Sequence, residues 1–165
     1  MTGGPCGCKD GRNSGVQGRV ETMTESQNRR PEFQGDLFEA GRAVRSAVMG
    51  ESYVARALGN ADALAAPLQA LVTEAAWGMV WTRDGLALRE RSIATVAMLA
   101  ALGREEELHG HLRGARNNGL TAEELREIVL QVCIYAGFPA GLAAFRVLGN
   151  VLSAEDAIDS HAVEN

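Results

Sequence analysis

From about residue 34 to residue 153, apolar residues recur at helical spacing, and short polar or glycine-containing breaks divide the pattern into segments. Leu37, Phe38, Gly41, Val44, Ala47 and Val48 recur three and four apart and predict a helix from Phe33 or Asp36 to Met49. A shorter segment follows from about Ser52 to Leu58. Pro67 suits the first turn of a third helix, which carries Leu68, Leu71, Val72, Ala75, Ala76, Met79 and Val80 before a break over Thr82 to Gly85. Ile93, Val96, Ala97 and Ala100 form one stripe of a helix from Arg89 to Leu102, stopped by Gly103. The next runs from Arg104 to Asn118, where Asn118-Gly119 is a C-terminal cap signal. Thr121 and Glu124 have capping-box spacing and open a helix that buries Leu125, Ile128, Val129 and Val132. Gly137 ends it, and Pro139 starts a last helix through Leu152. No run sustains an alternation of period two, so the expected fold class is all-α, without internal repeat.

Composition narrows this without changing it. Apolar residues make up 46% and charged residues 22% of 165 residues, the mix of one soluble globular domain. The formal net charge of -5 gives no reason to expect nucleic acid or an anionic membrane as partner. No run of about 18 apolar residues spans a bilayer, and the start lacks the basic-then-apolar order of a signal peptide, so the chain reads as cytoplasmic. Residues 1–33, rich in Gly, Ser, Asn, Gln and Arg, read as a disordered tail, and Met23 is a plausible alternative translation start. Residues 34–153 form the expected domain, and 154–165 an acidic tail that frays. Cys6, Cys8 and Cys133 make no disulfide framework, and the Cys6/Cys8 pair lacks partners for a tetrahedral metal site.

Candidate chemistry concentrates on the Arg104–Asn118 helix. Leu108, Leu112 and Ala115 share an apolar stripe; His111 lies roughly 60° from Leu108, at its edge, and His109 roughly 100° away on the other side. His111 is therefore the histidine that a half-buried pocket can use, although a boundary histidine is often only a packing residue. Glu107, one turn earlier, is spaced to hydrogen-bond the ring and fix its tautomer. Glu107 and His111 also have metal-ligand spacing, but no third ligand stands out, and no metal is expected. Arg89 and Arg91 stand at a helix start, where positive charge is mildly unfavourable. They suit either carboxylate binding or salt bridges to Glu90, Asp84 or a neighbouring subunit. Lys9 is the single lysine among the 16 Lys and Arg residues; guanidinium forks favour carboxylates, while codon usage explains the same bias. Trp77 and Trp81, four apart, are expected to pack together, and Cys133 to be a buried, inert thiol.

The stretch from Glu107 through Leu108-His109-Gly110-His111-Leu112-Arg113 to Asn117-Asn118-Gly119 resembles the signature of 4-carboxymuconolactone decarboxylases. So do Gln131 to Ala140, Ala76-Trp77-Gly78 with Trp81-Thr82-Arg83 and Gly85-Leu86, and Gly41-Arg42-Val44-Arg45 with Val48 and Gly50. The resemblance spans about Phe38 to Val151, with departures at Ala75, Ala136 and the variable position of Arg146. It implies an all-helical domain shared with alkylhydroperoxidase D, assembled as a homo-oligomer (trimer or hexamer). That second family carries a Cys-x-x-Cys pair seven and four residues before the histidine, where this chain has Arg104 and Glu107, which excludes thiol-based peroxide reduction at this position.

The resemblance further implies loss of CO2 from 4-carboxymuconolactone, giving 3-oxoadipate enol-lactone, a step of protocatechuate (beta-ketoadipate) degradation. No cofactor is implied, because the lactone is its own electron sink. The partner would be a small-molecule lactone dicarboxylate. In this reading His111 is the general acid and Glu107 orients it; Arg89 or Arg91 clamps the retained carboxylate and stabilises the oxyanion. Trp81 and Phe138 give the leaving carboxylate an apolar wall. The alternatives are a related decarboxylase or isomerase of another lactone or small carboxylate in a biosynthetic pathway, a non-catalytic oligomeric binding module, and a thiol-independent member of the peroxidase superfamily.

Overall fold

The computed structural model describes residues 1–2 and 35–163, with side chains placed as far as Glu155. Apart from its first two residues, the expected N-terminal tail lies outside the described residues, as do Cys6, Cys8 and Met23. Among the described residues the fold is all-helical, with seven helices and no strand. They are α1 (Asp36–Met49), α2 (Glu51–Gly59), α3 (Ala66–Val72), α4 (Leu88–Ala101), α5 (Glu105–Asn117), α6 (Ala122–Tyr135) and α7 (Phe138–Val163). Among the described residues no helix is long and apolar enough to cross a membrane.

The junctions follow the punctuation in the sequence. Thr121 Oγ1 accepts from the Glu124 N–H at 3.1 Å, while the Glu124 carboxylate accepts from the Thr121 N–H at 2.9 Å, so the capping box that opens α6 is formed. Gly119 (φ 86°) and Gly137 (φ 96°) turn the chain through left-handed conformations that a side chain would strain. α7 runs past Leu152, where the apolar pattern stops. Arg116 of α5 binds Glu155 at 3.0 Å and so holds the helix beyond Ser153.

The third predicted helix is only partly α. After Val72 it continues as a π-helix, Thr73–Trp81. Its close neighbour is α1, and the two cross through glycines. A Cβ on Gly41 would stand 2.2 Å from the Thr73 carbonyl oxygen, and one on Gly78 would stand 2.5 Å from the Leu37 carbonyl oxygen. Backbone therefore lies on backbone. This wide segment turns Thr73, Trp77, Gly78 and Trp81 inward.

Two apolar clusters result. The larger joins α4 to α7 around Leu108, Leu112, Leu120, Leu125, Val129 and Val151, each no more than 1% exposed. The smaller holds Val48, Trp77 and Trp81, with Val44, Met49 and Leu88 packed against it. Each fully buried Leu or Val contributes about 1.5–3 kcal/mol of transfer free energy. The stripe of α5 formed by Leu108, Leu112 and Ala115 belongs to the larger cluster, leaving the edge of that stripe to face the smaller one.

Candidate active site

His111 stands half-buried at that edge. Its ring is parallel to Trp77, with centroids 5.9 Å apart and planes 3° from each other. Trp81 closes a second side at 6.2 Å and 31°. The two indoles pack on one another at 4.6 Å, as their spacing predicts, and are 4% and 8% exposed. The orienting hydrogen bond expected from Glu107 is not formed. Glu107 is exposed, and the imidazole plane is fixed instead by stacking on indole.

The cation that acts on His111 was not among the sequence candidates. Arg45 of α1 is 6% exposed. Its Nη1 donates to Thr73 Oγ1 and its Nη2 to Gln69 Oε1, both at 3.0 Å. These partners are neutral, and among the described residues no carboxylate forms a salt bridge with it. Burial lowers the Arg45 pKa and the adjoining Tyr53 hydroxyl opposes this, but a guanidinium keeps its proton. One signal in the sequence marks it: Gly41, Arg45 and Val48, at i, i+4 and i+7, are the buried stripe of α1.

His111 is held below the usual histidine pKa, first by burial and then by the Arg45 charge, with Glu107 pulling the other way. The α5–α1 approach that brings Arg45 and His111 together uses small residues. A Cβ on Gly110 would stand 3.1 Å from Met49, and one on Gly114 the same distance from Val48. Asn117 then donates to the Val48 carbonyl at 2.8 Å, and Asn118 to Ser92 Oγ at 2.9 Å, fastening the end of α5 to α1 and α4.

The two arginines named from the sequence have different fates. Arg89 is ion-paired with Glu124 at the start of α6. Arg91 lies one turn after Leu88, which packs against the tryptophan cluster. It donates to the Arg83 carbonyl at 2.7 Å, and its buried Nε has no partner among the described residues. Phe138, the first residue of α7, is 66% exposed and belongs to neither apolar cluster. Cys133 is buried and free. A shallow open groove of about 420 Å³ lies on the outer face of α6, lined by Glu127, Ile128, Leu130, Gln131, Ile134 and Tyr135, and none of the site side chains borders it.

The arrangement is thus a helical domain that holds one histidine against two indoles, beside a buried arginine that pairs with no carboxylate among the described residues. The sequence profile of the carboxymuconolactone decarboxylase family matches residues 66–149. The 4-carboxymuconolactone decarboxylase of Acinetobacter baylyi is 44% identical over 114 residues, 69% of this chain and 85% of that protein. The nitrosuccinic acid decarboxylase npaB of Metarhizium robertsii is 43% identical over 116 residues, 70% of this chain and 81% of that protein. The chain belongs to the carboxymuconolactone decarboxylase family. These relatives support an enzyme that acts on a carboxylate.

Proposed function

We propose that the protein is a cofactor-free decarboxylase of small anionic lactones, with 4-carboxymuconolactone as its substrate and 3-oxoadipate enol-lactone and CO2 as products. The observation that carries the reading is the half-buried imidazole stacked on Trp77, with apolar indole on two sides and the buried Arg45 charge acting on it. Decarboxylation needs these parts. The C–C electron pair left by CO2 moves through the ring double bond onto the lactone carbonyl, and a proton then enters at the ring carbon next to that carbonyl. His111 delivers the proton. Arg91, whose Nε is unpartnered, faces the negative charge that develops on the lactone oxygen, and Arg89 supports the same end of α4 through Glu124. Trp81 walls off the leaving carboxylate, where desolvation favours neutral CO2 over the anion. Glu107 acts on His111 through its charge.

The near-equal identity to a nitrosuccinic acid decarboxylase favours one second reading, a decarboxylase of a different carboxylate in which another group accepts the electron pair. The two are separated by offering the purified protein 4-carboxymuconolactone, generated in situ from 3-carboxymuconate, and nitrosuccinic acid in parallel. CO2 release with enol-lactone formation from the first supports the proposal, and release from nitrosuccinic acid alone overturns it in favour of the second. The proposal also takes the chain as a cytoplasmic homo-oligomer. Ile134, Tyr135, Phe138 and Leu142 leave an apolar face on α6 and α7, each at least 60% exposed, and Phe138 acts on substrate in this reading only if assembly carries it to a site.

A further inference from the structure

A guanidinium that is 6% exposed and, among the described residues, hydrogen-bonded only to neutral groups has lost most of its hydration without gaining a counter-charge there. Such a group is either paired on binding or held at a cost, and here its geometry is fixed for pairing. Thr73 Oγ1, itself held by a 2.8 Å hydrogen bond to the Gln69 carbonyl, and Gln69 Oε1 occupy two of the five N–H donors. The Tyr53 hydroxyl adjoins the same guanidinium, Trp77, one turn after Thr73, stacks on the His111 ring, and Met49, one turn after Arg45, meets Gly110 next to His111. We propose that Arg45 is the docking cation for the carboxylate the substrate keeps, and that filling this position loads His111 with the proton it later delivers.

The inference rests on the decarboxylase reading and deepens it by naming the residue that holds the carboxylate surviving the reaction. The charges acting on His111 are Arg45 from α1 and Glu107 from its own helix. The π segment faces it with neutral indoles, and α2 brings the Tyr53 hydroxyl to Arg45. With the site empty, burial and Arg45 both disfavour imidazolium. A docked carboxylate cancels the Arg45 charge and leaves Glu107 and the substrate's own negative charge to favour it. The imidazole then takes one proton from solvent. As CO2 departs, the bonding pair stays on the substrate and the imidazolium N–H passes its proton to carbon, returning neutral His111. The sum is R–CO2⁻ plus H⁺ giving R–H plus CO2, with one solvent proton consumed per turnover.

The test follows His111 by NMR across a pH titration, its signal identified by its loss in His111→Gln, with succinate as an unreactive dicarboxylate probe. Succinate is expected to raise the proton affinity of His111 about tenfold in wild type, one pKa unit, and to leave Arg45→Gln unchanged. Free Arg45→Gln should already titrate higher than free wild type. No response in wild type, or an equal response in Arg45→Gln, overturns the proposal. Arg45→Lys, which keeps the charge and loses the guanidinium fork, should show a weakened response and serves if the glutamine variant does not fold; an undiminished response to succinate there overturns docking through the fork. With a turned-over substrate, Arg45→Gln should raise KM about 10- to 100-fold, the span of a charged hydrogen-bonded contact. The pKa in kcat should exceed that in kcat/KM for wild type only. An active wild type whose His111 ignores succinate sinks the Arg45 assignment alone. A responsive His111 in a protein that leaves the lactone intact sinks the substrate reading and spares Arg45.

Discussion

Gly41→Ala tests whether the α1–π crossing is as close as the structure has it. In an ordinary helix interior, Gly→Ala stabilises by about 0.5–1 kcal/mol. Gly149 provides that reference: it lies in α7 with nothing within 4 Å of an added Cβ. At Gly41 the same methyl would stand 2.2 Å from the Thr73 carbonyl oxygen and 2.7 Å from the Gly78 nitrogen. That is about 1 Å inside normal contact, and backbone on both sides has no rotamer to yield. The helices must separate, and overpacking of this kind costs about 1–3 kcal/mol. The net loss after the propensity gain is about 1 kcal/mol at mid-range and at most about 2.5 kcal/mol, with Tm lowered by about 2–4 °C per kcal/mol at this chain length. Separation also draws Arg45 from Thr73 and Trp77 from His111, so near-ultraviolet circular dichroism of the tryptophans should weaken. Thermal and urea unfolding of both variants beside wild type provide the readout. If Gly41→Ala gained stability alongside Gly149→Ala, the backbone-on-backbone crossing would be refuted.

Three further outcomes are expected. Asn117→Ala removes the bond to the Val48 carbonyl and should cost about 1 kcal/mol in urea unfolding, while lowering kcat, since this bond fastens the helix that carries His111. Arg91→Ala should lower kcat/KM about 10- to 100-fold, and more than Arg89→Ala does, because the Arg89 guanidinium is already occupied by Glu124. The folded state holds His111 below its usual pKa of 6.5, so the fold prefers the neutral ring. Its contribution is complete above about pH 6.5 and is lost as pH falls through the folded value. Urea unfolding from pH 7.5 down to 5.5 should therefore show a shallower decline in His111→Gln than in wild type. Glu124 behaves alike at lower pH. The Thr121 N–H and Arg89 hold its carboxyl below 4.5, so its contribution fades once pH falls beneath that.

The helices were legible because their signals are local. The stripe of Leu108, Leu112 and Ala115, the Thr121–Glu124 capping box, and Gly119 and Gly137 each act within one or two turns, and each appears where the pattern placed it. The π segment was not legible as such. Its apolar residues surround the axis, and its width depends on Gly78 meeting Gly41 from a helix more than 30 residues away. His111 could be singled out because its position at the edge of a stripe follows from helix geometry alone. Its parallel contact with Trp77 depends on tertiary crossing, so Trp77 read as core only. Arg45 was hidden for the same reason. Among many arginines it differs only in lying on the Gly41–Val48 stripe, and its burial comes from Thr73 and Gln69 across the crossing. The hydrogen bond assigned to Glu107 followed from spacing, but the helix leaves that side chain in solvent.

The central claim is that His111 gives the proton that replaces CO2. Its most direct measurement is single-turnover decarboxylation of 4-carboxymuconolactone by wild type and His111→Gln, at equal folded concentration, following CO2 and enol-lactone together. Wild type should form both products rapidly and together, and the variant at a rate reduced about 10²- to 10⁴-fold, the usual worth of a positioned general acid. A folded His111→Gln protein that formed both products at the wild-type rate would contradict it.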